Sequence, residues 1–150
     1  SIRRERQVCI RDRFDMFAEM KTACLLQNAT QRNAAALTAQ TALEMATING
    51  ARAIGRESDL GSLVAGKLAD IVLIDVRRPN TFPVHDVLSN LVFATNSANV
   101  HSVFIGGRRV LENGRVVGMD ESALLARAQE RAEIVRSKLG FVTSNTWQTT

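Results

Sequence analysis

The stretch that decides the fold runs from Thr38 to Asp75. Its first half, TAQTALEMATINGARAIG (38–55), has a helical period, with Thr38 as its cap and Gly55 as its stop. Its second half, RESDLGSLVAGKLADIVLID (56–75), places turn residues ahead of an apolar run, which predicts a strand from Ala69 to Asp75. Because four apolar residues follow one another between two acids, we expect both faces of this strand to be covered.

One face of the predicted helix is built from small residues. They recur at steps of three and four, at Ala39, Ala42, Ala46, Gly50 and Ala53. A face without large side chains lets another backbone come close. Glycine within a helix costs about 1 kcal/mol relative to alanine, so we expect a packing reason for Gly50.

On the N-terminal side, the pattern predicts a helix from Met16 to about Gln27, capped by Asp15, and then a loop over 28–36. Cys24 falls on the apolar face of this helix, so we expect it in the core. Residues 1–13 form a basic arm that contains five arginines and no aromatic residue on which a base could stack. Nucleic acid is therefore not an expected partner.

On the C-terminal side, residues 81–89 contain Pro83 and are predicted to be an irregular crossing, whereas residues 90–94 fit a helix or an extended segment. Gly-Gly at 106–107 and Asn-Gly at 113–114 are favoured hairpin corners, so residues 100–117 are predicted to be a three-stranded antiparallel meander. Asp120 opens a last helix that ends at Leu139 before Gly140. Trp147 is a candidate anchor in the tail that follows.

The composition is that of one soluble α/β domain rather than of a membrane or disulfide-rich protein. Hydrophobic residues make up 45% of the 150 residues and charged residues 23%, with a formal net charge of +4. No apolar run approaches the roughly 20 residues that cross a bilayer. Cys9 and Cys24 form no CxxC motif, which favours free thiols in a reducing compartment. We therefore expect a cytoplasmic location and no membrane partner.

The residues themselves define no catalytic site. The chain has two histidines, and neither an H-x-H nor an H-E-x-x-H motif is present. His85-Asp86 is typical of either a base oriented by a carboxylate or a surface histidine, and His101 lies near the start of a predicted strand. Gly61-Ser62 lacks the flanking pattern of a nucleophile elbow, and Gly66-Lys67 alone is a weak phosphate signal. We assign no catalytic, cofactor-binding or metal-ligating residue.

Four blocks of the chain resemble the amidohydrolase superfamily, and within it the deaminases and chlorohydrolases, including cytosine deaminase-like members. These blocks are DMFAEMKTACLLQ (15–27), ALEMATINGARAIG (42–55), LGSLVAGKLADIVLID (60–75) and VHSVFIGGRRVLENGRVV (100–117). The resemblance extends from about Phe14 to Leu139. Any one block alone is a weak signal, whereas the four in this order are specific.

The resemblance implies a (β/α)8 barrel with a divalent metal, zinc or iron, at its C-terminal mouth and a small β-sandwich built from both ends of the chain. It then implies a basic arm without resemblance at 1–13, terminal barrel helices at 14–57, part of the composite sandwich at 58–118, and a C-terminal helix and tail at 119–150. Members of the family hydrolyse C–N or C–Cl bonds of heterocycles such as purines, pyrimidines or triazines.

The metal ligands of the family do not carry over to this chain. Histidines matching the family's H-x-H and its later ligands are not found here, and Arg6 stands near the place of the family's last-strand aspartate. Asp12 is too close to the next helix to replace that aspartate. We therefore expect a catalytically incomplete C-terminal segment, truncated, altered or read out of frame at its start, that binds no metal alone.

Three functional hypotheses remain open on the sequence. The chain is an incomplete hydrolase segment, or a non-catalytic interaction and oligomerisation module that uses the basic arm, or a partial domain that completes an active enzyme with another subunit. Apolar faces of an incomplete fold favour association. We therefore expect self-association or pairing with the missing N-terminal portion, and a small heterocycle as the substrate of the complete enzyme.

Overall fold

The computed structural model describes residues 15–140, which fall into two compact units divided between Arg115 and Val116. The helices and strands of the first unit are α1 (Met16–Gln31), α2 (Ala39–Ala46), α3 (Ile48–Ala53), β1 (Ile71–Ile74), β2 (Val100–Ile105) and β3 (Arg108–Glu112). Strand β4 (Arg115–Val116) spans the boundary, and α4 (Glu121–Leu139) belongs to the second unit. Short helical turns at Val87–Ser89, Asn90–Ala94 and Ser97–Asn99 connect β1 to β2.

Helix α1 begins as predicted and ends later than predicted. The Asp15 carboxylate accepts hydrogen bonds from the Phe17 and Ala18 amides at 3.0 and 3.2 Å, which confirms the cap. The helix continues to Gln31 and ends at Arg32 in the left-handed region. The predicted loop over 28–36 is therefore wrong in its first part, because polar residues continue a helix readily where its end is exposed to solvent.

The long helix predicted from Thr38 to Ile54 is broken into α2 and α3 at Thr47. Thr38 caps α2 through a 3.2 Å hydrogen bond from the Thr41 amide. Thr47 leaves helical geometry, with φ −122° and ψ −97°, while its hydroxyl donates to the Leu43 carbonyl at 2.7 Å. Periodicity alone missed the break because the apolar pattern continues through it.

The close backbone approach to this segment involves Gly61 instead of Gly50. A Cβ built on Gly61 would lie 2.7 Å from the Cα of Ile48 and 2.9 Å from the Cβ of Ala51. A Cβ on Gly50 would meet only the Met45 carbonyl of the preceding turn, at 3.3 Å. A neighbouring backbone therefore packs on this segment, but it contacts Ile48 and Ala51, which lie outside the predicted small-residue face.

Strand β1 is shorter than predicted and less covered. Ala69 and Asp70 lie ahead of it and hold the β2–β3 corner: the Ala69 carbonyl accepts from the Gly107 amide at 3.0 Å, and the Asp70 carboxylate accepts from Gly106 at 2.7 Å. Leu73 is 47% exposed, so the expectation that both faces are covered is wrong for the described residues. The strand order β1-β2-β3-β4 puts β1 at an edge of the sheet, with a neighbour on one side within residues 15–140.

The antiparallel meander is confirmed. Val103 of β2 pairs with Val72 of β1 and with Leu111 of β3. The second corner takes positive φ at Asn113 (50°) and Gly114 (74°), which residues other than Gly and Asn rarely adopt. The two hairpin corners therefore lie where the sequence predicted them.

The core lies between α1, α2 and the turn Asn90–Ala94. Its buried members are Met20, Cys24, Ala42 and Val92. Cys24 is fully buried, which confirms its predicted place, and burial raises the pKa of its thiol. Residues 90–94, open on the sequence, form a wide helical turn in which the Thr95 amide donates to the Asn90 carbonyl at 3.0 Å.

Helix α4 has the predicted ends. The Asp120 carboxylate accepts from the Ala123 amide at 3.0 Å, and Gly140 follows with φ 65°. Among residues 15–140, no helix combines the length and apolarity needed to cross a membrane. The predictions for the arm 1–13, with Cys9 and Asp12, and for Trp147 fall outside the described residues.

Candidate functional site

The first unit has an apolar groove between its helices and its sheet. The groove has a volume of about 560 Å³. Its helical wall includes Met16, Phe17 and Met20 of α1, and its other wall includes Val72 and Val103 of the sheet. This volume is in the range of ligand pockets, which hold a few convergent polar groups among apolar walls.

The two carboxylates of the groove are already used by the backbone. Asp15 caps α1, and Asp70 accepts from the Gly106 amide at the first hairpin corner. A carboxylate held this way is aimed at amide N–H groups of its own chain and not at a substrate. The groove is therefore suited to packing against apolar atoms and presents no acid–base pair for catalysis.

The His85-Asp86 pair is not a catalytic dyad in the structure. The Asp86 carboxylate caps the turn Val87–Ser89 by accepting from the Ser89 amide at 2.8 Å. Hydrogen bonds from the Ser89 hydroxyl and amide lower the pKa of Asp86. His85 is exposed, which agrees with the surface alternative.

The remaining sequence candidates are also structural. His101 is exposed, and its Nδ1 lies 2.9 Å from the Ser102 hydroxyl. The Lys67 ammonium donates to the carbonyls of Glu57 and Leu60, at 3.2 Å for Leu60. Lys67 therefore closes the loop after α3. In the structure its ammonium binds backbone carbonyls, which gives Lys67 a role that needs no bound phosphate.

The described residues do not fit a metal ion. Within 15–140 there is no group of three or more His, Cys, Asp or Glu side chains placed to hold one. Zinc sites in proteins need three or four such ligands around one point. The assignment of no metal-ligating residue stays a prediction.

A buried network of amides and hydroxyls connects the end of β1 to the turns before β2. Asn99 is fully buried, and its Nδ2 donates to the Asp75 carbonyl at 3.1 Å. Its Oδ1 accepts from Asn80 Nδ2 at 2.8 Å and from the Asn96 amide at 3.1 Å. The Asp75 amide donates in turn to the Asn99 carbonyl at 2.8 Å. Asn99 thus fixes both sides of the crossover.

A second part of this network holds the segment that contains Pro83. Asn90 Nδ2 donates to the Thr81 carbonyl at 2.8 Å, and the buried Thr81 hydroxyl donates to the Val76 carbonyl at 2.9 Å. The buried roles of Thr81, Asn90 and Asn99 were not predicted from the sequence. Asn99 lies in the polar run TNSAN (95–99) between two apolar segments, which by itself is typical of an exposed loop.

The fold and its groove define the class: a mixed α/β segment that packs helices on an antiparallel meander, without a reactive constellation among its described residues. The family model described as the amidohydrolase family matches residues 9–110. The chain belongs to the amidohydrolase family.

Three known proteins show how the chain relates to that family. It is 40% identical over 117 residues to a 5-methylthioadenosine/S-adenosylhomocysteine deaminase of Moorella thermoacetica, which covers 78% of this chain and 27% of the relative. It is 36% identical over 143 residues to an S-triazine hydrolase of Gordonia rubripertincta, covering 92% of this chain and 30% of the relative.

A solved structure supports the fold. An adenosine deaminase from Xanthomonas campestris with bound zinc superposes with a TM-score of 0.78 at 39% identity, covering 81% of this chain and 28% of that one. The chain therefore spans less than a third of the length of these three proteins. The likeness to deaminases and a triazine hydrolase confirms the resemblance seen in the sequence.

Proposed function

We propose that this chain contributes the C-terminal part of a metal-dependent hydrolase that cleaves C–N or C–Cl bonds of heterocycles. In this proposal residues 14–57 supply the last helices of a barrel and residues 58–118 supply part of a composite β-sandwich. The metal and its ligands belong to other residues of the assembled enzyme. Purine nucleosides and triazines are the proposed substrate classes, because the relatives are named for them.

One observation carries the proposal. The chain matches less than a third of each relative at 36 to 40% identity, and its described residues contain no cluster of possible metal ligands. Identity at this level over 117 or more residues marks a shared fold and not a local motif. A shared segment without ligands is expected to support a site that other residues build.

The apolar groove supports the same proposal. Its walls expose Met16 and Val72 by half, and its carboxylates already accept backbone hydrogen bonds. Exposed apolar surface of this kind favours burial against further protein. We therefore propose that upstream residues of the enzyme cover the groove, and that the chain self-associates through it when those residues are absent.

The test is a chimera. The C-terminal segment of the Xanthomonas campestris deaminase that matches this chain is replaced by residues from Asp15 onward, and zinc content and ammonia release from adenosine are measured. The controls are the truncated deaminase without the graft and the 150-residue chain alone. We expect zinc and activity in the chimera and in neither control.

Two outcomes would contradict the proposal. Stoichiometric zinc and hydrolysis by the 150-residue chain alone would place the site within this chain. A chimera that folds and binds zinc but fails on adenosine, 5-methylthioadenosine and a chlorotriazine would show that the segment does not support the activity of its relatives. Sedimentation of the chain alone checks the association, for which a strictly monomeric profile is the contrary result.

A further inference from the structure

The apolar face of α4 has the spacing of a coiled-coil seam. Steps of three and four residues place the following side chains on one stripe: Leu125, Ala128, Ala132, Val135 and Leu139. With Leu125 at position a of a heptad, these residues occupy a, d, a, d and a. A helix with this stripe can pack against one other helix along its length.

This stripe is exposed to solvent. Leu125 is 69% exposed, Val135 54% and Leu139 63%. Every residue of α4 is in the exposed class. The other described residues of the second unit therefore do not cover this apolar stripe.

The positions that flank the seam carry one sign of charge. In the same register, Arg131 and Lys138 fall at g of two successive heptads and Arg136 falls at e of the second. Positions e and g face a partner helix across the seam. The ion pairs among residues 15–140 join Arg56 to Asp59, Arg78 to Asp75 and Arg109 to Glu112, so these three cations of α4 have no ion-pair partner in the described part of the chain.

The flanking charges argue against a second copy of α4 as the occupant. In a parallel pair, position g of one helix meets position e of the next heptad on its partner, which sets Arg131 against the second copy's Arg136. An antiparallel pair also brings cations together. Like charges at such positions destabilise pairing, whereas glutamates there would stabilise it.

We propose that α4 is a docking helix for an amphipathic helix of a partner protein whose apolar stripe is flanked by Asp or Glu. Membrane binding is the less favoured alternative, because the stripe is narrow, includes two alanines and lacks aromatic residues. In the same register Glu121 falls at position d, on the apolar face itself, where it would meet an anionic bilayer. The proposal depends on α4 alone and is independent of the proposed hydrolase.

The test uses the full 150-residue chain and two synthetic peptides of about three heptads, both with leucine at a and d. One peptide has glutamate at e and g, and the other has lysine. Binding is measured by fluorescence anisotropy of a labelled peptide. We expect the chain to bind the acidic peptide at least about tenfold more tightly, because three pairs change from repulsive to attractive.

Matched charge variants separate α4 from the basic arm. R131Q/R136Q/K138Q removes three cations from the seam flanks, and R3Q/R4Q/R6Q removes three from the arm. We expect the first variant to lose the preference for the acidic peptide and the second to keep it. Leu125→Gln, which weakens the seam and leaves the charges, should lower the affinity for the acidic peptide. Circular dichroism checks that each variant keeps its helical content.

Four results would overturn the proposal. These are equal affinity for the two peptides, no binding of either, loss of the preference only in the arm variant, and binding of phosphatidylserine vesicles that R131Q/R136Q/K138Q abolishes. Because none of these measurements involves zinc or hydrolysis, a failure here leaves the proposed function standing, and a failure of the chimera leaves this proposal standing.

Discussion

Gly61→Ala tests the close approach that shapes the first unit. Gly61 has φ +84°, a conformation that costs an L-residue about 1–2 kcal/mol. The new Cβ would also lie 2.7 Å from the Cα of Ile48, 2.9 Å from the Cβ of Ala51 and 3.0 Å from the Thr47 carbonyl. Two of these atoms belong to the backbone, so they cannot rotate away as a side chain does.

The steric part adds about 1–3 kcal/mol, as overpacking does elsewhere. The two costs of Gly61→Ala sum to about 2–5 kcal/mol, and the smaller entropy of the unfolded alanine chain offsets about 0.4–1 kcal/mol of the resulting loss in unfolding free energy. Gly66→Ala is the matched control. Gly66 has φ +94°, and a Cβ there meets no atom within 4 Å. Its variant carries the conformational cost alone, and we expect a loss of about 1 kcal/mol after the smaller entropy of the unfolded chain is included.

The assay is urea unfolding of both variants and the unsubstituted chain at one protein concentration, since association changes apparent stability. The difference between the two variants isolates the contact with α3. Effects at independent sites add within about 0.5 kcal/mol. If the unfolding free energies of the two variants differ by less than this amount, the close packing of Gly61 on α3 is refuted. Ala51→Gly in the Gly61→Ala background should recover little, because it removes one of the three contacts.

The other predictions concern the buried network and two ionisable groups. Asn99→Ala leaves the Asp75 carbonyl and the Asn96 amide without a partner, and it removes one of the two acceptors of Asn80 Nδ2. We therefore expect a loss of about 2–4 kcal/mol of unfolding free energy, measured in urea, and a cost near zero would contradict the network. The pKa of Asp86 is lowered, so its stabilising effect is present above its ordinary value of 3.8 and is lost as the pH falls through the folded value. Asp86→Asn should therefore flatten the decline of the urea midpoint below about pH 4, and an unchanged decline would exclude Asp86 as a contributor. Cys24 is buried, and burial raises the pKa of its thiol. In a Cys9→Ser background, a thiol reagent at about pH 8 should therefore react with Cys24 only as fast as the protein opens. Reaction at the rate of a free thiol would show that Cys24 is accessible.

Local signals in the sequence predicted much of the fold. The caps at Asp15, Thr38 and Asp120 are confirmed, as are the hairpin corners, because each depends on residues within a few positions of one another. The break at Thr47 was not predictable in this way. It accompanies the packing of Gly61 on α3, which brings together residues from separate elements of the chain.

In the candidate site, too, local signals were predictable and contacts between distant residues were not. The sequence left His85 as either a base oriented by Asp86 or a surface histidine, and in the structure both His85 and His101 are exposed. The buried role of Asn99 was not predictable, since an asparagine in a polar run is the same in sequence whether its amide faces water or the Asp75 carbonyl. Whether the Asn99 amide faces water or the Asp75 carbonyl depends on where β1 lies relative to the turns before β2.

The sequence by itself determined the family, the element order and the hairpin corners, because these follow from local periodicity, caps and turn residues. Tertiary structure alone decided that β1 has an exposed face, that the Asp70 carboxylate accepts from the Gly106 amide of the first hairpin corner, and that Asn99 ties the crossover together. The physical reason is that burial and hydrogen-bond partners depend on which distant segments meet, and a pattern of neighbours along the chain does not specify that.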